Sequence, residues 1–133
     1  MKNFLLQKRN TARSSRTTRR KSKNQLFLIA DNIRSRENIG SFFRTADALG
    51  VDKIFLCGIS GTPPHQKISK TALGAELWIP WEYKAQTWRL VDDLKKQGVF
   101  VVCLEQTKKS VDIARFRPKF PLALVVGNEV NGV

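Results

Sequence analysis

Several things are scarce in this chain of 133 residues. It has two cysteines, Cys57 and Cys103, and one histidine, His65. That excludes a disulfide scaffold and leaves no spaced ligand set, so no metal is expected. Both cysteines lie in apolar stretches and read as inert core thiols of a reduced, cytoplasmic protein. No run approaches the roughly 18 apolar residues of a membrane span, so no membrane partner is expected. The eight glycines form neither G-x-G-x-x-G nor G-x-x-x-x-G-K-[ST], which excludes a dinucleotide fingerprint and a P-loop. Acids are few: 11 Asp and Glu stand against 24 Lys and Arg, for a formal charge of +13. The length allows one compact domain, and 41% hydrophobic residues suffice for its core, so wholesale disorder is excluded.

The charge sits mostly at one end. Residues 1–23 hold nine cations and no acid, leaving 15 cations against 11 acids in the body, a net of +4. Between Asn10 and Asn24 the only apolar residue is Ala12. Such a stretch cannot offset its ordering entropy by burial, and residues 1–24 read as a flexible basic arm. Its composition suits neutralising phosphates and releasing counterions, which makes RNA or DNA the natural partner. A solvated tail and an organellar transit peptide share this composition. The bunching of Phe4, Leu5 and Leu6 before the arginines gives no amphipathic helix through them, which argues against the transit peptide.

The body, residues 25–133, alternates strand and helix signals. Leu26–Ala30 is a short apolar run fit for a buried strand, followed by the turn-prone Asp31 and Asn32. Ile39, Phe42, Phe43, Ala46 and Leu49 share one helical face, with Gly50 as the stop. Lys53–Cys57 is the next strand, Gly58–Pro64 a loop, and Glu76–Pro80 a short strand before Trp81 and Tyr83. Ala85–Gln97 reads as a helix with Trp88, Val91 and Leu94 inward. Val99–Glu105 and Leu122–Val126 read as central strands. This order predicts an α/β fold, a mostly parallel sheet with flanking helices, with ligands beyond the carboxyl ends of its strands. The loops after Ala30, Cys57, Glu105 and Val126 are therefore the ones to examine.

Two of those loops carry unusual residues. In the first, Gly40 and Arg44 lie one turn apart on the same side of the helix, turned away from Phe42, Phe43 and Ala46. The missing side chain at Gly40 leaves room beside the guanidinium for another backbone, a ribose or a phosphate. Asn38 can cap the helix or present its amide to a ligand. An equally physical reading makes Asn38 a cap, Gly40 a tolerated small residue and Arg44 a solvated charge. The last loop begins Gly127-Asn128-Glu129, where the acid can bond backbone amides or face a pocket.

Asn38-Ile-Gly-Ser-Phe-Phe-Arg44-Thr-Ala resembles motif 1 of the SpoU/TrmH family of RNA ribose methyltransferases: Asn, any residue, Gly, three residues, then Arg-Thr-Ala. The tail Leu122-Ala-Leu-Val-Val-Gly127-Asn-Glu129-Val-Asn-Gly132 resembles motif 2, an apolar strand ending in Gly-x-Glu-x-x-Gly. Lys70-Thr-Ala-Leu-Gly-Ala-Glu76 is similar to a segment that often precedes the third strand. Two ordered motifs about ninety residues apart are far more specific than either alone.

The resemblance implies the SPOUT fold, an α/β sheet with a trefoil knot, working as a homodimer with S-adenosyl-L-methionine as methyl donor and tRNA or rRNA as substrate. It implies catalytic roles for Asn38 and Arg44. Gly127, Asn128, Glu129 and Gly132 would form part of the cofactor wall, with the loop Leu104–Gln106, including Glu105, beside them. The family pattern continues beyond motif 2 into a third motif that this sequence does not contain. The expectation is a SPOUT domain lacking its final knot segment, inactive as a 133-residue fragment. A non-catalytic RNA-binding module is the alternative if Val133 is the true terminus. His65, Trp78, Trp81, Tyr83 and Trp88 read as loop and packing residues.

Overall fold

The computed structural model describes residues 24–105 and 110–128. Its elements are β1 (Leu26–Asp31), α1 (Arg36–Leu49), β2 (Lys53–Cys57), α2 (Gln66–Ala72), a 3₁₀ turn at Ala75–Leu77, β3 (Trp81–Lys84), α3 (Thr87–Lys96), β4 (Phe100–Leu104), a second 3₁₀ turn at Ile113–Arg115, and β5 (Leu122–Val126). All strand pairs are parallel, in the order β3-β2-β1-β5-β4. This is the expected α/β sheet with flanking helices. The segment expected as a basic arm lies outside the described residues except for Asn24.

Alternation along the strands sorts the apolar side chains onto two faces. On one, Ala30, Ile54 and Leu56 meet Ile39, Phe43 and Ala46 of α1 and Ile68 and Ala72 of α2. On the other, Ile29, Phe55, Cys57, Ala123 and Val125 meet Leu90 and Leu94 of α3. Phe43 and Ile29 are fully buried, each worth roughly 1.5–3 kcal/mol relative to exposure. Asp52 is buried, and its Oδ2 accepts the Leu26 N–H at 2.8 Å, which fixes the start of the central strand.

Helix α1 starts at a true cap. The hydroxyl oxygen of Ser35 accepts the Asn38 N–H at 3.1 Å, so Ser35 rather than Asn38 is the N-cap. Gly50 closes the helix in the left-handed region, φ 76°, with its N–H on the Ala46 carbonyl, as its sequence position suggests. Gly40 is buried, and the space beside it is taken by backbone. A Cβ there would overlap Thr71 Oγ1 and the Ile68 carbonyl oxygen, so α2 lies directly on α1 at this glycine.

Several expectations need correction. Helix α2 gave no periodic signal, because only Ile68 and Ala72 are buried along its seven residues. The segment expected as a strand at Glu76–Pro80 is partly a 3₁₀ turn, and the strand begins at Trp81, after Pro80. Leu49 is 69% exposed at the helix end. Trp88 is 65% exposed, because Leu90, Val91 and Leu94 define the inner stripe of α3 and Trp88 falls outside it under Arg89. Cys57 is buried as expected, but Cys103 is exposed, since β4 is an edge strand. Burial pushes the Cys57 thiol above its ordinary pKa; partial burial and the Glu105 charge do the same for Cys103.

Two measurements check this packing. Gly40→Ala is expected to destabilise the domain by about 1–3 kcal/mol through overpacking, read as a lower urea midpoint; an unchanged midpoint would mean that α2 does not sit on Gly40. A disulfide reagent at mildly alkaline pH is expected to titrate one thiol in the native protein and two in guanidinium. Two reactive native thiols would contradict the burial of Cys57.

Candidate active site

In a parallel sheet every strand delivers its carboxyl end to the same edge. Here the loops after β1, β2, β4 and β5 meet there, and one residue ties three of them. Asn32 adopts the left-handed conformation, φ 53°, which asparagine tolerates better than most residues. Its side-chain oxygen accepts the Ile59 N–H at 3.0 Å, in the loop after β2. Its backbone N–H donates to the Cys57 carbonyl at 3.2 Å. Its own carbonyl accepts from Asn128 Nδ2 at 3.2 Å, in the loop after β5. Gly58, φ 64°, packs so close to the Asn32 side chain that a Cβ would overlap it.

Ser60 completes this scaffold from below. It is buried, donates its hydroxyl to the Ala30 carbonyl at 3.1 Å and accepts the Ile33 N–H at 2.9 Å. Tyr83 donates its hydroxyl to the Gly58 carbonyl at 2.8 Å from the neighbouring strand. Asp31 accepts from both Thr87 of α3 and the Asn32 amide. The chain segment leading into α1 is therefore held in place from three directions.

Leu104 pairs with Val126 in register, so Leu104–Glu105 and Gly127–Asn128 leave the sheet side by side. Leu104 is 56% exposed and Glu105 is exposed, whereas Gly127 and Asn128 are half-buried. Glu129, Gly132 and Gln106 lie outside the described residues. Asn38 is half-buried in the first turn of α1. Arg44 is exposed and makes no ion pair with another described residue. It lies about 9 Å further along the helix than Asn38 and about 120° around it. The two motif 1 residues therefore do not share a face: Asn38 stays with the carboxyl edge, and Arg44 stands over the side where α2 packs.

Asn32, Gly58 and Ser60 were not singled out from the sequence. The signal for Asn32 was its place in a turn-prone Asp-Asn pair, but its partners lie 27 and 96 residues away. His65, read as a loop residue, caps α2, with Nδ1 accepting the Lys67 N–H at 3.1 Å. Among the described residues no three His, Cys, Asp or Glu side chains converge as a metal site would require. None of the described helices is long and apolar enough to cross a membrane.

The fold, a parallel α/β sheet with Asn38, Gly127 and Asn128 at its carboxyl edge, is similar to that of solved SpoU methyltransferase structures. The model of the SpoU rRNA Methylase family matches residues 25–133, and the chain belongs to that family. YacO of Bacillus subtilis, assigned by name to the TrmH family of tRNA/rRNA methyltransferases, is 30% identical over 113 residues, covering 85% of this chain and 45% of the relative. A like-named protein of Staphylococcus haemolyticus is 30% identical over 106 residues, 80% of this chain and 42% of the relative. The AdoMet-bound rRNA methyltransferase of Sinorhizobium meliloti superposes with a TM-score of 0.75 at 28% identity, covering 84% of this chain and 42% of that one. The A. aeolicus TrmH/SpoU tRNA modifying enzyme gives 0.72 at 26% identity, covering 90% and 63%. The chain thus spans somewhat under half the length of the curated relatives it matches.

Replacing Asn32 with Ala removes the bond to Ile59 and the residue type that tolerates the left-handed turn. The expected loss is about 1–2 kcal/mol of stability, with faster amide exchange at Ile59. Asn32→Gly, which keeps the backbone geometry, is expected to recover stability but not Ile59 protection. Unaltered exchange in both variants would remove Asn32 from the scaffold.

Proposed function

We propose that the complete protein, using the residues of this domain, transfers a methyl group from S-adenosylmethionine to a ribose 2′-hydroxyl of tRNA or rRNA. The observation that carries the reading is the pairing of β1 with β5. It sends the loop that leads to Asn38 and the loop that opens with Gly127 and Asn128 out of the sheet together, joined by the Asn128–Asn32 bond. Family membership and the likeness to an AdoMet-bound rRNA methyltransferase support the donor and the RNA class.

The residues at this edge fit the donor. Leu104 offers exposed apolar surface at a strand end, suited to an adenine ring, and Gly127 beside it has no side chain to obstruct one. Glu105 offers an exposed carboxylate for hydroxyl or ammonium groups, and Asn128 an amide; Glu129 and Gly132 are assigned to the same wall only by the motif 2 resemblance. When bound, S-adenosylmethionine supplies an electrophilic methyl on a sulfonium, so an in-line displacement by a hydroxyl needs no covalent enzyme intermediate.

What remains for the protein is alignment, with the proton of the attacking hydroxyl passing to solvent water as the methyl is transferred. Asn38 orients the ribose through its amide. Guanidinium groups keep their proton at physiological pH, and a phosphate alongside holds it more tightly. Arg44 therefore acts first by holding a substrate phosphate and stabilising the developing alkoxide charge. The basic segment 1–24 adds sequence-independent affinity for RNA, and the same reading includes a homodimer.

The test uses the full-length protein with radiolabelled donor and a mixed tRNA and rRNA substrate. Ribose methylation blocks alkaline cleavage, so the label is expected in alkali-resistant dinucleotides; label only in mononucleotides would indicate base methylation and overturn the ribose assignment. Arg44→Ala is expected to lower kcat by about 10²–10³-fold while leaving donor affinity within twofold. Equal loss of both would remove Arg44 from the chemistry.

A further inference from the structure

The three tryptophans differ in how the fold holds them. Trp78 and Trp81 are half-buried against the α1 side of the core, and the Trp78 indole donates to Asp47 Oδ1 at 3.0 Å. Trp88 is 65% exposed, and the Arg89 guanidinium lies over its ring, 5.2 Å from the centroid. A lone apolar residue at a surface needs no special explanation. The placement of Trp88 does, because the first turn of α3 is fastened to the carboxyl edge where the proposed site lies. Thr87, the residue before it, donates its hydroxyl to Asp31 Oδ1. Asp31 in turn precedes Asn32, whose carbonyl accepts from Asn128.

The orientation of α3 turns the ring toward that site. Asp93 lies near Lys84 of β3, at one edge of the sheet, and Lys95 lies near Cys103 of β4, at the other. Trp88 and Lys95 are seven residues apart, two helical turns, and so share a flank. Trp88 therefore stands at the carboxyl-edge end of α3, on the flank turned to β5 and β4, whose loops present Gly127, Asn128 and Glu105. Leu104 leaves the opposite face of the sheet: it pairs with Val126, which packs on the α1 side, whereas α3 packs against Ile29 and Val125. The two exposed apolar groups border the edge from its two sides. With Leu104 suited to the adenine of the donor, the indole is left for another flat ring. Two acids near that ring are engaged, Asp31 with Thr87, and Asp92, one turn beyond Trp88, with Lys96 at 3.1 Å.

We propose that Trp88, backed by Arg89, is a stacking platform for an unpaired base of the RNA substrate, a nucleotide flanking the one whose ribose is methylated. The proposal deepens the reading above and rests on RNA as the substrate, though not on methyl transfer itself. An indole face is wide enough to cover a base, and such stacking tolerates every base because each has a π-face. The planar guanidinium over the ring adds to the platform, since it too stacks on flat groups. Stacking requires a base free of a helix, as in a loop, bulge or end. The platform therefore selects RNA by shape, which a phosphate contact at Arg44 does not do. The Thr87–Asp31 bond ties it to the strand whose end carries Asn32, so a base held at Trp88 fixes where its neighbouring ribose lies along the edge.

The test measures binding of a fluorescently labelled single-stranded RNA oligonucleotide by anisotropy, in the full-length protein without methyl donor, against the same sequence annealed as a perfect duplex. Trp88→Ala is expected to weaken single-strand binding about five- to a hundredfold and duplex binding by no more than about twofold. The slope of log K against log salt should not change, because no phosphate contact is lost. Trp88→Phe, which keeps an aromatic ring, is expected to recover most of the affinity, and Trp88→Leu, apolar without a π-system, is not. The position is exposed, so the variants keep the fold, which circular dichroism checks. No loss on the single strand, equal losses on single strand and duplex, or rescue by Leu as good as by Phe would each overturn the proposal. So would a loss confined to donor affinity in calorimetry, which would give the ring to the donor. A change of oligomeric state in sedimentation with single-strand binding intact would give it to a second copy and overturn the proposal too. If the variants behave as expected but the wild type yields no alkali-resistant product, the platform stands and the catalytic reading falls.

Discussion

The contact on which most of this domain depends is the one between α1 and α2 at Gly40. Helices with side chains at their crossing keep their axes 8–10 Å apart; a glycine at the closest point lets Thr71 and the Ile68 carbonyl reach the α1 backbone. That approach allows a helix of seven residues, too short to be stable alone, to persist and to seal one face of the sheet with Ile68 and Ala72. The same glycine that the family pattern places within a catalytic motif is, in this fold, first a packing residue.

A second constraint acts at the carboxyl edge. Loops there would otherwise move independently, yet the left-handed turn at Asn32 makes a single amide and a single carbonyl serve the segments after β2 and β5. Preorganisation of this kind matters for a displacement that depends on alignment, because the ordering is completed in folding and not at the moment of reaction. The scaffold beneath it, from Ser60, Tyr83 and Thr87, is built of hydroxyl groups bonded to backbone or carboxylate.

Much of this was legible in the sequence, for identifiable reasons. The strands at Lys53–Cys57 and Leu122–Val126 are buried on both faces and read as continuous apolar runs, and Gly50 marks the end of α1 by the conformation only glycine adopts freely. Asn38, Arg44 and Gly127 stood out because their spacing matches a pattern. Helix α2 did not, since two buried positions one turn apart make no period. Leu49, Trp88 and Cys103 were assigned inward from local spacing, but their exposure is set by where a helix stops, which stripe wins, and which strand is the sheet edge. The role of Asn32 depends on partners far away in the chain, and no local signal carries that.

The strand order has a consequence for how the domain is made. β1 emerges from synthesis ahead of every other described strand and occupies the middle of the sheet, yet one of its edges pairs with β5, its register running from Leu26 opposite Leu122. The segment from β1 to β3, with α1 and α2, can assemble by neighbouring pairings while the rest is still being translated. The other edge of the central strand stays bare, an open row of donors and acceptors, until the last described strand arrives and inserts between β1 and β4. Contacts this distant in sequence form slowly. The half-built sheet is therefore the state most exposed to mispairing, and the edge that must wait is the one along which the loops of the proposed active site are finally brought together.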